Sequence, residues 1–187
     1  MATCSNCVLT TGFEQNCLVK PIGGNLQNVY ILPTCLIDEY VEEYNDRVIT
    51  DIVFDPSVAG FYEVTAIVDT VSVQEQVNQP NRPVNQTISF QLSPFADAAT
   101  NDEAFRAGRE FVQQLIDSVE PMTIITRGRD QRRRILGAQL GLDMSEFNDE
   151  SGATKEDTPT RQLTFSGIET EVAYLLAEDY EIPVETT

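Results

Sequence analysis

The chain has 187 residues, 41% of them hydrophobic, and its 30 acidic side chains outnumber 12 basic ones for a formal charge of −18. That length suits one domain with a good core, and the charge argues against a protein that grips nucleic acid by neutralising phosphates. Histidine is absent, which removes the commonest general base, the Ser-His and Cys-His nucleophile pairs and the commonest metal ligand.

No apolar run approaches the roughly 18 residues needed to cross a bilayer, and residues 1–12 carry neither a basic n-region nor an apolar h-region. The expectation is a soluble chain made in a cytoplasm, without a signal peptide. Its two lysines, Lys20 and Lys155, lack a phosphate-loop setting. Cys4 and Cys7 have the spacing of a zinc knuckle, but Cys17 and Cys35 form no second pair of that kind and no histidine can substitute. Free, partly buried thiols, no metal and no cofactor are expected. A small cysteine-based metal-binding or redox module is the alternative from a different class.

Residues 1–24 lack periodicity and end in Pro21-Ile-Gly-Gly24, which reads as an irregular arm before a turn. Residues 26–32 alternate as a strand, with Leu26, Asn28 and Tyr30 on one face, Val29 and Ile31 on the other, and Pro33 as the stop. In residues 37–44, Ile37, Tyr40, Val41 and Tyr44 stand at helical spacing. A short helix is expected there, its acids Asp38, Glu39, Glu42 and Glu43 forming a solvated face rather than a cation site. Residues 48–54 are strand-like. Residues 61–77 read as one long β-branched strand whose parity changes near Asp69-Thr70, as a bulge would produce. After an Asn/Gln/Pro turn, residues 84–92 read as the second strand, in which Ile88, Phe90 and Leu92 alternate with Thr87, Ser89 and Gln91, and Thr70, Ser72, Gln74 and Gln76 form the matching polar row of the first strand. The result is a long hairpin with one apolar and one uncharged polar face, which must pack on a sheet or on strands from another copy.

The clearest helix spans 101–119, with Thr100 and Glu103 as a capping box, an apolar stripe of Phe105, Phe111, Val112, Leu115, Ile116 and Val119, and Pro121 as its end. One helix among many strands implies an α+β, β-dominated fold. Residues 122–126 and 132–140 read as strands flanking an Arg127-Gly-Arg-Asp130 turn. Five of the ten arginines, Arg127, Arg129, Arg132, Arg133 and Arg134, cluster there. On so acidic a chain, such a patch suits the acidic surface of a second copy better than DNA. Residues 148–158 read as a polar loop. A strand from Leu163 breaks at Ser166-Gly167 and resumes at 172–176, and an acidic, frayed tail occupies 178–187. The domain is therefore placed at 25–177.

Several pieces recur in a telling order: Gly23-Gly24 before Leu26-Gln-Asn-Val-Tyr-Ile31, the polar hairpin, one amphipathic helix, then Leu136-Gly-Ala-Gln-Leu-Gly-Leu142, an acidic Ser/Gly/Thr loop and Leu163-Thr-Phe-Ser-Gly-Ile-Glu169. Together they resemble the tail tube (major tail) proteins of tailed bacteriophages, especially those with Bacteroidetes hosts, over most of residues 22–176. Nothing in the pattern resembles an active site. The Arg132-Arg-Arg134 run and the helix expected at 37–44 depart from it, which leaves a neck, connector or tail-terminator ring protein, or a contractile secretion tube protein, as relatives of similar fold. The resemblance implies a β-sandwich or short barrel with a flanking helix. It implies a structural virion protein, not an enzyme, whose partners are its own copies and other tail proteins. Copies would form a ring, usually of six, that stacks into a tube passing DNA without specific binding and without a membrane. In such rings the hairpins of adjacent protomers join into an inner barrel, so Thr70, Ser72, Gln74, Gln76, Thr87, Ser89 and Gln91 become candidate lumen-facing residues and the five arginines candidate subunit contacts. Six copies would carry about −108 per ring, which repels DNA.

Overall fold

The structure is a computed structural model that describes residues 24–43, 47–77, 83–94, 100–150 and 159–185. The described residues form eleven strands and one α-helix: β1 (Asn25–Pro33), β2 (Ile37–Glu42), β3 (Val48–Phe54), β4 (Tyr62–Thr65), β5 (Ser72–Val77), β6 (Val84–Leu92), α1 (Asn101–Asp117), β7 (Met122–Gly128), β8 (Arg133–Leu136), β9 (Asp143–Glu150), β10 (Thr160–Glu169) and β11 (Tyr174–Leu176). They build two sheets, a seven-stranded one in the order β2-β3-β11-β8-β7-β1-β4 and a four-stranded one in the order β5-β6-β10-β9. The α+β, β-dominated sandwich is thus the observed class, without a closed barrel.

Alternation explains how the sheets meet. Every second residue of β6 and of β10 up to Phe165 is buried. Ile88, Phe90, Leu163 and Phe165 pack from the small sheet against Val29, Ile31, Ile124 and Leu136 of the large one. Phe90 and Phe165 stack at 6.1 Å between ring centroids. Helix α1 adds Val112, with Phe111 and Leu115 partly buried beside it. Thr100 caps its start, accepting from Glu103 N at 3.3 Å while its hydroxyl donates to the Glu103 carboxylate at 2.9 Å.

A second core lies on the opposite face of the large sheet, where Leu32, Ile125 and Ile135 meet Ile49, Ile52, Phe61 and Leu176. The Tyr40 hydroxyl of β2 lies 3.3 Å from Thr123 Oγ1 of β7, although four inter-strand spacings of about 4.8 Å separate those strands in a flat sheet. The large sheet therefore curls around this core. Residues 180–185 seal it: Tyr180 and Ile182 pack on it, and Phe61 exchanges backbone bonds of 2.9 Å with Pro183 and Glu185. The tail expected to fray is docked through Glu185.

Six further expectations change. Residues 37–42 form β2, not a helix. Its pairing with β3 shifts register between Ile37 and Glu39, and a bulge that inserts one residue lets Ile37 and Tyr40, three apart, both pack on the second core. Helical spacing here is the imprint of a bulged strand. The long strand expected at 61–77 is two, β4 and β5, in different sheets. Between them the chain turns at Asp69, whose φ is 65°, so the parity change marks a crossing between sheets. The strand expected at 132–140 ends at Leu136, and the loop expected at 148–158 begins with the end of β9. Strand β10 runs unbroken through Ser166-Gly167. The helix ends at Asp117, and Val119 beyond it is 89% exposed. Residues 1–23, the expected arm, lie outside the described residues.

Candidate functional site

The register of the small sheet collects polar side chains into rows. Ser72 of β5 pairs with Ser89 of β6, which pairs with Thr164 of β10, which pairs with Glu146 of β9. A second row runs Gln74, Thr87, Ser166, Asp143, and a third Gln76, Asn85, Ile168. Gln91 and Gln162 pair beyond the first row and lead to Asn148. Directly paired residues share a face, and the intervening residues of β6 and β10 are buried in the core, so these rows point away from it. Six of the expected residues, Ser72, Gln74, Gln76, Thr87, Ser89 and Gln91, therefore lie on one surface. On β5, β6 and β10 this surface carries hydroxyls and amides but no charge. Asp143, Glu146 and Glu150 border it along β9.

Thr70 does not belong to that surface. Its hydroxyl donates to Ile67 O at 2.7 Å and accepts from Gln91 N at 3.1 Å, which pins the crossing between sheets. Asn85, Gln162, Thr164 and Ser166 complete the face and were missed, although the Leu163/Phe165 alternation in β10 already marked their parity. The edges of the small sheet are β5 and β9.

The glycine-bearing segments that carry the resemblance meet in one junction between the sheets. Gly137 (φ +67°) donates from its N–H to the buried Gln86 Oε1 at 2.9 Å, and its carbonyl accepts from Thr123 Oγ1 at 2.9 Å. Leu140 N and Gly141 N donate to the buried Glu169 carboxylate at 3.0 and 3.1 Å. Met122 and Leu142 exchange two backbone bonds of 2.8 Å. A Cβ on Gly167 would stand 2.5 Å from Gly141 O. Leu-Gly-x-x-x-Gly-Leu and Ser-Gly-x-Glu are therefore two halves of one packed contact. Burial pushes the Glu169 carboxyl up, against the backbone donors of residues 139–141 that favour its charged form. Its hydrogen bonds tie the turn at 140–141 to the end of β10.

The five clustered arginines do not form one patch. Arg129 pairs with Asp69. Arg132 is exposed and Arg134 half-buried. Arg127 and Arg133 stand directly opposite each other on β7 and β8, and Arg133 donates to Tyr180 O. Arg161, outside that cluster and at the start of β10, is 1% exposed, with Nε 3.4 Å from Asp149 Oδ2 and its guanidinium carbon 5.1 Å from the Phe105 ring centre.

Cys35 is free and exposed, and Cys4, Cys7 and Cys17 lie outside the described residues. Asp38, Glu39, Glu42 and Glu43 are exposed on and just after β2. Among the described residues no group of three or more histidine, cysteine or carboxylate side chains is placed to hold a metal ion, and no helix is long and apolar enough to cross a membrane. No protein-family model, curated protein or solved structure matches the chain.

Proposed function

We propose that this chain is a structural ring subunit of the tail tube type, whose work is self-assembly around a channel for DNA. One observation carries the reading: a four-stranded antiparallel sheet whose polar face is uncharged on β5, β6 and β10 and acidic along β9, with an edge strand on either side. With an even number of antiparallel strands, β5 and β9 run in opposite directions. Copies related by rotation about one axis can therefore join β9 to the next β5 and continue the antiparallel alternation without a break. Closure would also cover edges that otherwise invite aggregation.

The dimensions agree with that role. Six such sheets give about 24 strands at ~4.8 Å spacing, a circumference of ~115 Å and a backbone diameter of ~37 Å before strand tilt widens it. That is wider than a DNA duplex. The inner wall would then be Ser72, Gln74, Thr87, Ser89, Thr164 and their neighbours, which offer phosphate no cation, with the acids of β9 repelling it. The resemblance in the glycine segments and the acidity of the chain point the same way. Negative-stain electron microscopy of purified protein across a concentration series tests the proposal. Rings with a central channel support it, stacking of those rings assigns a tube rather than a connector or terminator, and a monomer at every concentration counts against it.

A further inference from the structure

Beyond the strands' polar face, the other side of the molecule carries a cleft of about 500 Å³ on the second-core face of β1, β7 and β8. Leu26, Asn28 and Tyr30 of β1, Arg127 of β7, Arg133 of β8 and Glu181 and Ile182 of the docked tail line it. We infer that this cleft is a carboxylate-binding site and that its occupant is an acidic side chain from a second copy of the chain.

Charge is the first argument. Arg127 and Arg133 are direct cross-strand partners, a placement that brings like charges within about 5 Å at Cβ and destabilises the pair unless an anion lies between them. Arg127 Nε is fully buried and has no hydrogen-bond partner among the described residues, which leaves a desolvated guanidinium N–H unmet. Among the described residues Arg133 reaches only an uncharged acceptor, Tyr180 O.

The second argument is what the other arginines do. Four described arginines find a carboxylate, Arg47 at Glu171, Arg106 at Asp102, Arg129 at Asp69 and Arg161 at Asp149, whereas exposed Arg109 and Arg132 and half-buried Arg134, like the cleft pair, find none within 4.0 Å among the described residues. In a chain with 30 acids, Arg127 and Arg133 have no carboxylate within 4.0 Å among the described residues, although Glu181 lines the same cleft. Two adjacent guanidinium forks match the planar, bidentate geometry of a carboxylate. The chain's own acidic surface is the complementary source. The identity of the occupant rests on the self-assembly reading; the site itself does not.

The test uses the full chain, with citrate as a probe of carboxylate binding. At a concentration where the wild type is dispersed, the Nε–Hε NMR signals of Arg127 and Arg133 are followed during citrate titration, with Arg127→Gln, Arg127→Lys and Arg106→Gln alongside. Sedimentation velocity of the same proteins at higher concentration reads self-association. The inference expects saturable citrate shifts in the wild type and in Arg106→Gln, and at least a tenfold weaker response in Arg127→Gln, the equivalent of one charge-assisted hydrogen bond lost. Arg127→Lys, which keeps the charge and the fold but loses the fork, falls between. Self-association should weaken by at least about tenfold in Arg127→Gln and stay unchanged in Arg106→Gln. Citrate binding with unaltered self-association would overturn the second-copy occupant and leave a site for a free carboxylate. Absence of a saturable citrate shift would overturn the site. A wild type that never associates would refute the assembly reading, and with it the proposed occupant, while the citrate arm still decides the site.

Discussion

Replacing Gly167 by alanine isolates the junction that ties the sheets together. The new Cβ would stand 2.5 Å from Gly141 O, 2.9 Å from Leu142 Cδ2 and 3.2 Å from Leu142 Cα, where ordinary contact begins at 3.4 Å. Gly141 cannot step back freely, because its N–H and that of Leu140 are held by Glu169 and Leu142 is doubly bonded to Met122. Overpacking of this kind costs about 1–3 kcal/mol, and displacing the turn puts one or two hydrogen bonds of about 0.5–1.5 kcal/mol each at risk. Gly167 does not need a left-handed backbone, so alanine recovers about 0.4–1 kcal/mol from the unfolded chain. The net expectation is a loss of about 2–3 kcal/mol. Urea unfolding, followed by circular dichroism at a concentration below assembly, measures it. The equivalent fall in Tm is about 4–12 °C for a chain of this size. A change within about 0.5 kcal/mol, the range of an ordinary surface substitution, would refute the interlock.

Arg161 and Asp149 should respond unequally. Asp149→Asn strands a buried cation and should cost about 2–3 kcal/mol, somewhat below the usual ~3–5 kcal/mol because Asp149 is partly exposed, while Arg161→Met should stay within about 1.5 kcal/mol of the wild type. Equal losses in urea melts would show that the pair is not acting as a buried charge and its counterion. Glu169 has a folded pKa raised by burial above 4.5. Its contribution is therefore fully present below that ordinary value and is lost as pH rises through the raised one, so the stability of Glu169→Gln relative to wild type should improve between about pH 4 and 7. A constant difference across that range in pH-dependent melts contradicts this. Tyr40 and Tyr180, pushed up to about 12 mainly by burial, should ionise late in an absorbance titration, and Tyr40→Phe or Tyr180→Phe should each delete one late step. Ionisation of every tyrosine together near the ordinary value of 10 would rule that out.

Much of this architecture is legible in residue order where one face is buried and the other wet. The alternation in 84–92 reports β6 with its true bounds, and Thr100 and Glu103 report the helix start, because those signals are local. Legibility fails where tertiary partners decide. The β2 bulge turned strand spacing into helical spacing. Strand β9 escaped notice because seven of its eight residues are exposed, so it has no buried parity to display and exists through its pairing with β10. The crossing at Asp69 read as a bulge since a parity change records only that the facing direction changed, not that the chain moved to another sheet. For the candidate site, the polar row was readable on β5 and β6, whereas its extension over β10 required knowing which strands are neighbours. The arginine run misled by proximity in sequence: alternation sends Arg133 and Arg134 to opposite faces. Arg161, the most buried of the described arginines, shares the inward parity of Leu163 and Phe165, but a charged side chain is rarely buried and its parity was not read as burial.

Hydrogen exchange read by mass spectrometry, comparing dilute with assembled protein, tests the edge-joining of the small sheets most directly. The unpaired backbone N–H groups of β5 (Ser72–Val77) and β9 (Asp143–Glu150) exchange freely in an isolated copy and become ladder donors when β9 of one copy meets β5 of the next. Slowed exchange in both strands on assembly, with the edges β2 and β4 of the large sheet unchanged, is the predicted result. Assemblies in which β5 and β9 exchange as fast as in the dispersed chain, or in which protection gathers on β2 and β4 instead, would contradict it.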